Sequence, residues 1–472
     1  MKPLVAATAK DKYIWCDVPR VDPPKREAAE RVEDFKETYT LYDAETVKAQ
    51  AARCLQCGEP FCTIGCPLSN RIPEWLALTA EGKFLEAAAV SRSTSNLPEI
   101  CSRVCPQERG CEEMCTLGTR GAPIPIGAIE KFINEYAFAH QDIKPPRVMP
   151  NGRSVAVVGS GPAGLSCADE LAQLGYSVTV FESQATAGGL LVNGIPSFKL
   201  EKVLMERRLE LLRERGIQFR TKVAVGKDVT LQALLDQFDA IFLGMGAQQS
   251  KPLDIPGAEL EGIFPALPFL IEKNAGAKSN IPTIRVAGKR VVVLGGGDTA
   301  MDCLRTALRC HALEAVCLYR RDLDNMPGSR KEYNNAVEEG ARFHFLTNPL
   351  ELIGNAQGRV VEVRCAQMKL GEPDAQGRRK PYPVSGSEFS LPADVVLVAF
   401  GFDPVTYPPE SDLSRVAVND WGGMAVDDNQ MTSLPKVFAG GDLVRGANLV
   451  VYAVRDGRRA AQGIHRFLSQ RE

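Results

Sequence analysis

The sequence predicts an α/β protein whose N-terminal third is all helical and whose remainder holds two strand–turn–helix units. Three observations lead to this prediction. Apolar residues recur every three or four positions within residues 1–140, which is the period of a helix. Two glycine-rich turns follow apolar strands further along the chain. At 472 residues the chain is also too long for one hydrophobic core, so about three folding units are expected.

The composition excludes several classes of protein. Lys and Arg number 56 against 58 Asp and Glu, so neither a nucleic acid nor a membrane surface is an expected partner. The first residues, MKPLVAATAK, lack the apolar core of a signal peptide, and the longest apolar runs are too short to span a bilayer. We therefore expect a cytoplasmic protein. The four histidines are not grouped with a serine, cysteine or carboxylate motif, which argues against a hydrolase.

Eight of the 14 cysteines fall in one short region, with spacing C-x2-C-x4-C-x3-C-P followed by C-x3-C-P-x5-C-x3-C. A reducing cytoplasm disfavours disulfides and favours metal or redox use. Zinc ribbons pair two CxxC knuckles, whereas this region has one CxxC and an adjoining Cys-Pro typical of ferredoxin-type runs. The spacing therefore predicts two [4Fe-4S] clusters, with structural zinc as the alternative. The other six cysteines are expected to be small buried hydrophobes.

The two clusters are expected to share the cysteine runs, because the fourth cysteine of a ferredoxin-type run can ligate the other cluster. The first predicted ligand set is Cys54, Cys57, Cys62 and Cys115, and the second is Cys66, Cys101, Cys105 and Cys111. Glu130 follows on a predicted helix and is a candidate stand-in ligand for the second cluster. General burial statistics favour a solvated helix glutamate at this position instead.

The first glycine turn lies between the strand SVAVV and the helix GLSCADELAQL. Its glycines let the backbone approach a pyrophosphate at the positive end of the helix. The predicted cofactor-binding residues are Gly159, Ser160, Gly161, Pro162, Ala163 and Gly164. Glu182 ends the next strand, where a carboxylate holds both ribose hydroxyls and repels a 2′-phosphate. The first turn therefore suits FAD or NAD.

The second glycine turn follows the strand RVVVL and is a G-x-G-x-x-A pattern. Its predicted cofactor-binding residues are Gly295, Gly296, Gly297, Asp298 and Thr299. Its second strand ends in Arg320 and Arg321, where an acid would favour NAD, and guanidinium groups match a 2′-phosphate. The second turn is therefore predicted to bind NADPH. The alternatives are that these arginines only solvate a strand end, or that Asp322 takes the ribose and favours NADH.

The combined motifs resemble a known family. The order of a cysteine-rich helical domain, VVGSGPAGL, GGLLVNGIPSFKLEK, VVVLGGGDTAMDC, YRRDLDNMPGSRKE and FAGGDLVRGANLVVYAVRDGRRAA is similar to that in the small (beta) subunits of bacterial NADPH-dependent glutamate synthases. The likeness covers essentially the whole chain from Arg20 onward. More distant relatives include the flavin and iron–sulfur half of dihydropyrimidine dehydrogenase and the large subunits of NADPH-ferredoxin transhydrogenases.

The resemblance implies two Rossmann-like domains of the glutathione-reductase type, with the NADPH domain inserted in the FAD domain. The implied boundaries are a cluster-binding helical domain at 1–145, a discontinuous FAD domain at 146–285 and 391–472, and an NADPH domain at 286–390. FLGMGAQ and VAFGFDP fall where the crossover strands of the family sit. The further flavin contacts implied are Gly188, Gly189, Leu190, Gly441, Asp442 and Asn448, the last near the start of a helix that points its dipole at the flavin.

The resemblance also implies an electron path from NADPH to FAD, through the two clusters, to a large glutamate synthase subunit that makes L-glutamate from L-glutamine and 2-oxoglutarate. No catalytic side chain is predicted, because the protein only positions the redox rings. A second interpretation is an NAD(P)H oxidoreductase that serves a ferredoxin or a pyrimidine reductase. A third is a zinc-bound regulatory protein that senses NADPH without turnover.

Overall fold

The structure is a computed structural model, and it describes residues 13–140, 143, 148–275, 281–374 and 379–470. Residues 1–12, on which the signal-peptide prediction rests, lie outside the described residues, as do 141–142 and 144–147 around the predicted domain boundary at 145/146. In the described ranges, no helix combines the length and apolar character needed to cross a membrane.

The secondary structure follows the predicted order of a helical region and then alternating strands and helices. The helices are α1 (Ile14–Asp17), α2 (Ala28–Arg31), α3 (Ala44–Ala52), α4 (Phe61–Ile64), α5 (Ile72–Ala80), α6 (Phe84–Thr94), α7 (Pro98–Val104), α8 (Ile126–His140), α9 (Pro162–Gln173), α10 (Leu190–Asn193), α11 (Lys202–Glu214), α12 (Leu231–Gln237), α13 (Ala266–Ala275), α14 (Asp298–Arg309), α15 (Arg330–Glu338), α16 (Asp442–Arg445) and α17 (Val450–Ser469). The strands are β1 (Ser154–Val158), β2 (Ser177–Glu182), β3 (Gln218–Thr221), β4 (Ala240–Leu243), β5 (Gln249–Ser250), β6 (Ile263–Pro265), β7 (Arg290–Leu294), β8 (Glu314–Tyr319), β9 (Arg342–Phe345), β10 (Thr347–Gly354), β11 (Val360–Pro373), β12 (Arg379–Pro392), β13 (Val395–Val398), β14 (Phe402–Asp403) and β15 (Val437–Ala439).

The N-terminal cysteine domain is built from α1 to α8 around a core that contains the fully buried Trp75. Asp43 caps α3 by accepting a hydrogen bond from the Thr46 N–H at 2.7 Å. The apolar segment IPEWLALTAEGKFLEAAAVSRS forms two helices, α5 and α6, because the chain reverses at Gly82. This residue has a φ of +76°, which glycine adopts without steric cost.

The first nucleotide unit contains a parallel sheet in the order β15-β4-β1-β2-β3. Strand β15 comes from the C-terminal end of the chain and pairs with β4, so this unit is discontinuous. Helices α9 and α17 pack against each other beside it, and Gly457 of α17 lies so close to Ala163 that a Cβ would stand 2.1 Å from its carbonyl oxygen. The predicted fold class is confirmed.

The second nucleotide unit contains a parallel sheet in the order β6-β13-β7-β8-β9, with a separate antiparallel sheet of β10, β11 and β12. The predicted division at 285/286 and 390/391 cuts through this parallel sheet. Strand β6 pairs with β13, and β13 pairs with β7. This one sheet therefore includes strands that lie on both sides of the predicted boundaries. The short strand β6 ends thirty residues before the glycine turn, so the glycine motif does not predict it.

Two chain segments cross between the nucleotide units. Strand β5 pairs antiparallel with β14, through Ser250 with Phe402 and Gln249 with Asp403. These strands lie within or directly after FLGMGAQ and VAFGFDP, the segments expected to form the crossover. The connection between the two sheets is therefore a narrow two-stranded ribbon.

Candidate functional site

Both glycine turns face one cleft of about 1380 Å³ that lies between the two nucleotide units. Of the predicted dinucleotide-binding residues, those that line the cleft are Gly159, Ser160, Gly161, Pro162, Ala163, Glu182, Gly189, Leu190, Gly295, Gly296, Gly297, Asp298, Thr299, Arg320, Arg321, Asp442 and Asn448. The other three, Gly164, Gly188 and Gly441, lie behind the wall. A Cβ on Gly164 would stand 1.9 Å from the Gly159 carbonyl oxygen, so this glycine permits close packing of helix on strand.

The first turn is shaped to expose bare backbone to the cleft. Gly159 follows β1 with a φ of +92°, and a Cβ there would stand 2.6 Å from the Gly244 carbonyl oxygen. Gly161 precedes the first residue of α9, and no atom lies within 4 Å of the position its Cβ would take. The helix N-terminus is therefore open to a phosphate group.

Ser160 joins three of the predicted contacts. Its backbone N–H and hydroxyl donate to Glu182 at 3.1 Å and 2.5 Å, and its hydroxyl oxygen accepts from the Gly188 N–H at 2.8 Å. Glu182 is buried at the end of β2. The carboxylate is thus held at the strand end where a ribose would bind.

Asp442 supplies a direct test of whether a flavin nucleotide fits. Its Oδ1 is buried and has no hydrogen-bond partner within the described part of the chain. Burial raises the pKa of this carboxyl to about 7, against the opposing effects of the Asn448 backbone N–H and Arg445. An unpartnered buried carboxylate that faces the cleft fits a ligand with hydroxyl donors, as the ribitol chain of FAD has. Helix α17 begins at Val450, two residues after the predicted position.

The second turn repeats the backbone plan of the first. Gly295 has a φ of +130°, and a Cβ there would stand 2.4 Å from the Ala399 carbonyl oxygen. Gly297 precedes α14 and again has open space where a Cβ would be. Asp298 accepts a hydrogen bond from the Ser329 N–H at 2.9 Å, which ties the loop before α15 to this turn.

Arg320 and Arg321 form the cationic wall of the cleft beside the second turn. Among the described residues neither guanidinium has an acidic partner, and the buried Nε of Arg321 makes no hydrogen bond. Asp322 is hydrogen-bonded to Asn325: its Oδ1 accepts from the Asn325 backbone N–H at 2.9 Å and from the Asn325 side-chain Nδ2 at 2.6 Å. The residues present therefore fit a 2′-phosphate better than a ribose that needs a carboxylate.

Sequence reasoning missed several residues of the cleft. Lys199 and Asp302 form an ion pair of 2.9 Å between the first and second nucleotide units. Val104, Pro106 and Arg109 reach the cleft from the cysteine domain. Pro106 is the proline of the second cysteine run, and Lys199 and Asp302 lie within the quoted family segments, but no spacing predicted that these residues face the cleft.

The four cysteines of the first predicted ligand set lie close together. Cys54, Cys57, Cys62 and Cys115 line one small cavity with Phe61, which is 44% exposed. Burial raises the pKa of the Cys54 thiol to about 12 and that of Cys62 to about 11, with further increases from the neighbouring thiols of the same set.

The second predicted set also forms a local group, in which Cys105 is hydrogen-bonded to Cys101 and lies near Cys111. Burial raises the pKa of Cys66 to about 11, and Cys101 and Glu130 raise it further. Glu130 is buried, contrary to the solvated role that burial statistics favoured. Its Oε1 accepts from Asn70 Nδ2 and Ser91 Oγ, both at 2.8 Å, because α8 packs inside the domain.

The chemistry of these thiols fits bound iron–sulfur clusters. All eight are free thiols. Burial, with added effects of neighbouring thiols or carboxylates, raises the pKa values of Cys54, Cys62, Cys66 and Cys111, so their neutral form is favoured. A bound soft cation would favour the thiolate form instead. Within the described ranges no three His, Cys, Asp or Glu side chains converge on one point as a single ion requires. A cubane takes its ligands on several iron atoms, and the two local groups of cysteines supply thiol donors of that kind.

The remaining cysteines largely follow the prediction that they are small buried hydrophobes. Cys167, Cys303, Cys317 and Cys365 are buried, whereas Cys310 is half-buried and Cys16 is exposed.

Two families match the chain. The family described as dihydropyrimidine dehydrogenase domain II, 4Fe-4S cluster, matches residues 31–142, and pyridine nucleotide-disulphide oxidoreductase matches residues 153–457. The predicted kinds of cofactor, namely FAD, NADPH and [4Fe-4S], are confirmed by these matches, whereas the number of clusters stays a prediction.

Individual proteins match over nearly the full length. The glutamate synthase [NADPH] small chain of Escherichia coli K12 is 46% identical over 98% of this chain and 99% of its own length. The oxidoreductase AegA of the same organism is 47% identical over 94% of this chain and 69% of its own length. The structure of Mycobacterium tuberculosis FprA in complex with NADPH shares the fold with a TM-score of 0.58, at 20% identity, over 67% of this chain and 85% of that one.

The site and the matches agree on an NADPH-dependent oxidoreductase with flavin and iron–sulfur centres. Two small-chain relatives cover 94–98% of this chain and 94–99% of their own lengths. The chain therefore belongs to the family of NADPH-dependent glutamate synthase small chains.

Proposed function

We propose that this chain is the electron-input subunit of a glutamate synthase. It oxidises NADPH in the shared cleft and delivers the electrons through two [4Fe-4S] clusters to a large subunit, which forms L-glutamate from L-glutamine and 2-oxoglutarate. The small-chain names of near-full-length relatives support the partnership.

The observation that carries the proposal is the position of the cysteine groups relative to the cleft. Val104 and Pro106, on either side of Cys105, line the cleft that holds both glycine turns. Phe61, which lines the cavity of the first cysteine group, is partly exposed. The second group would therefore receive electrons beside the cleft, and the first would pass them outward.

Each group of residues has a separate role in this proposal. Glu182 and Asp442 hold a flavin nucleotide, Arg320 and Arg321 hold the 2′-phosphate of NADPH, and the eight cysteines hold the clusters. Flavin, when bound, accepts a hydride as an electron pair and releases electrons singly, which links a nicotinamide to an iron–sulfur cluster. Cys66, Cys101, Cys105 and Cys111 form the second ligand set, and Glu130 is the stand-in ligand.

Isolation of the tagged full-length chain from its native host tests the partnership. The expected result is co-purification of a much larger flavoprotein chain and NADPH-dependent formation of glutamate from glutamine and 2-oxoglutarate in the complex. The chain alone should reduce an artificial dye from NADPH and form no glutamate. Glutamate formation that is unaffected by depletion of this chain would contradict the proposal.

A second candidate function is supported by the likeness to AegA, which is named as an oxidoreductase and not as a synthase subunit. In that case the chain would deliver electrons to a ferredoxin or a pyrimidine reductase. Rapid NADPH-dependent reduction of a purified ferredoxin, without any large-chain partner in the isolated complex, would favour this function.

A further inference from the structure

A buried ion cluster lies where the cysteine domain meets both nucleotide units, outside the cleft. We call it the Glu339 cluster. Its members are Arg31, Arg305, Arg309, Glu332, Glu338 and Glu339. None of them lines the dinucleotide cleft or belongs to the cysteine groups.

Glu339 is the centre of this cluster. Its Oε1 accepts from Arg31 Nε at 2.8 Å and from the Nη2 atoms of Arg305 and Arg309 at 2.8 Å and 3.1 Å. Its Oε2 accepts from Arg305 Nε at 2.8 Å and Arg309 Nη1 at 2.6 Å. Although burial alone would raise it, hydrogen bonds from the arginines lower the pKa of this carboxyl to about 2.

The cluster sets three guanidiniums against three carboxylates. Glu332 accepts from Arg305 at 2.5 Å, and Glu338 accepts from Arg31 at 2.7 Å. Glu338 is 40% exposed and also pairs with Lys25 at 2.6 Å, so it forms the outer edge of the cluster. The side chains of Arg305, Arg309 and Glu339 have no solvent exposure, and that of Arg31 has 1%. Loss of Glu339 would leave buried guanidiniums without their carboxylate, so the buried part of the network is strongly favoured only when it is complete.

The members come from separate parts of the chain. Arg31 belongs to α2 of the cysteine domain, whereas Arg305 and Arg309 lie on α14, the helix that starts at the second glycine turn. The first nucleotide unit contributes Phe198, whose ring lies 4.3 Å and 4.1 Å from the guanidinium carbons of those two arginines. All three parts of the protein therefore meet at one joint.

Thr38 of the cysteine domain connects the Glu339 cluster to Phe198. Its backbone N–H donates to the Phe198 carbonyl oxygen at 3.1 Å, and its hydroxyl oxygen accepts from Arg305 Nη2 at 2.8 Å. Lys199 follows Phe198 and pairs with Asp302, which lies one turn before Arg305 on α14 and lines the cleft. The joint is thus continuous with the wall of the cleft.

The covalent connection between the nucleotide units is narrow by comparison, because it consists of the β5 and β14 ribbon. Such a ribbon permits one unit to turn relative to the other. We infer that the Glu339 cluster docks the second nucleotide unit against the first, and that Glu339 is a positioning residue for hydride transfer between their cofactors. The cysteine domain then sets the geometry of a reaction that it does not itself perform.

A second contact agrees with this inference. Ser329 Oγ donates to Glu108 Oε1 of the cysteine domain at 2.5 Å, and Arg109 donates to the carbonyl oxygens of Pro327 and Gly328. Gly328 in turn donates its N–H to the Gly296 carbonyl oxygen at 2.8 Å. The cysteine domain therefore holds the second nucleotide unit both at the Glu339 cluster and beside its glycine turn.

The inference rests on NADPH-to-flavin hydride transfer, as in the proposed function, and the test uses the full-length chain loaded with its cofactors. Glu339→Gln keeps the shape of the side chain and removes its charge. Glu314→Gln is the matched control, because Glu314 lies in the same unit and pairs with Arg342 at the surface. The measurements are FAD content, NADP+ affinity, the single-turnover rate of flavin reduction at saturating NADPH, and hydrogen exchange in residues 195–202 and 330–340.

Glu339→Gln should keep its FAD and its NADP+ affinity, while flavin reduction slows about tenfold to a hundredfold because the reacting atoms are misplaced. Hydrogen exchange should rise in both segments, and Glu314→Gln should match the unsubstituted chain. If Glu339→Gln does not fold, Thr38→Val serves as the milder variant, and a slower reduction rate with intact FAD is again expected.

An unchanged reduction rate together with unchanged exchange, in a folded Glu339→Gln or Thr38→Val chain, would overturn the inference. A weaker NADP+ affinity with an unchanged rate at saturating NADPH would overturn it as well. Failure of the unsubstituted chain to reduce its flavin from NADPH would count against the proposed function instead. The exchange measurement still decides the docking role in that case.

Discussion

The two glycine turns have the same backbone plan and opposite charge at the end of the following strand. Both turns place a positive-φ glycine after a buried strand and leave a bare glycine before the helix. The first is followed by Glu182, which Ser160 holds in place, and the second by Arg320 and Arg321, which face the cleft without acidic partners in the described chain. In the proposed assignment, the turn binds the phosphates and the strand end selects the cofactor.

A further difference lies in what completes each site. The first turn gains Asp442 from the C-terminal part of the chain, over 270 residues away in sequence, because β15 joins the same sheet. The second turn is fixed from outside by the cysteine domain, through Arg109 and the Glu339 cluster. In the proposed assignment, the flavin site is built within one unit, whereas the position of the NADPH site depends on a neighbouring domain.

Reversal of the charge at the first strand end should give the largest effect. Glu182→Lys removes the ribose acceptor and leaves an unpaired buried cation, which costs about 3 to 5 kcal/mol, so FAD affinity should fall about a thousandfold. FAD content after reconstitution measures this. Glu182→Gln should lose less, and Glu214→Lys on the exposed end of α11 should retain FAD. Normal FAD binding by a folded Glu182→Lys chain would contradict the assignment of the first turn.

Removal of the charge at the second strand end should give the next largest effect. Arg320→Ala with Arg321→Ala deletes two charge-assisted contacts to a 2′-phosphate, so the preference for NADPH over NADH should fall about a hundredfold. The ratio of kcat/KM values for the two nucleotides measures it. Arg290→Ala, at the other end of the same unit where Arg290 pairs with Asp394, is the control. An unaltered preference would remove the cofactor assignment.

The pH dependence of the FAD-free protein should show a smaller effect. Burial raises the pKa of Asp442 to about 7, whereas an unfolded Asp titrates near 4. Between these values the folded chain binds the extra proton, so its stability falls as pH rises. A full shift is worth about 4 kcal/mol, and partial solvent access reduces this to about 2 kcal/mol.

Chemical denaturation at pH 5 and pH 8 checks this effect. Asp442→Asn should reduce the stability difference between the two pH values, and bound FAD should do the same by supplying hydroxyl donors to the carboxylate. If Asp442→Asn and the unsubstituted FAD-free chain lose stability equally between pH 5 and pH 8, Asp442 does not cause that loss.

The parts of the site that depend on short-range spacing were predictable from the sequence. Glycine turns need particular residues at fixed offsets, and cysteine runs carry their ligand spacing in the chain itself. The structure accordingly brings Cys115 beside Cys54 and Cys62, and places Arg320 on the cleft wall. The assignment of each cysteine to a particular cluster stays a prediction.

The parts that depend on tertiary packing were not predictable. Glu130 has the local sequence of an ordinary helix residue, and its burial follows from how α8 packs. Lys199 and Asp302 are over a hundred residues apart, and Arg31 meets Glu339 across three hundred. Strand β6 is too short to give an alternating pattern, which is why the predicted domain boundary fell inside the second sheet.

The central claim is that electrons enter as hydride at the shared cleft and leave singly through iron bound by the cysteine domain. Metal analysis of the anaerobically purified full-length chain, followed by titration with NADPH under electron paramagnetic resonance, tests it most directly. We expect about eight iron atoms and about eight labile sulfides per chain, with at least one cluster reduced by NADPH. Zinc in place of iron at the eight thiols would contradict it.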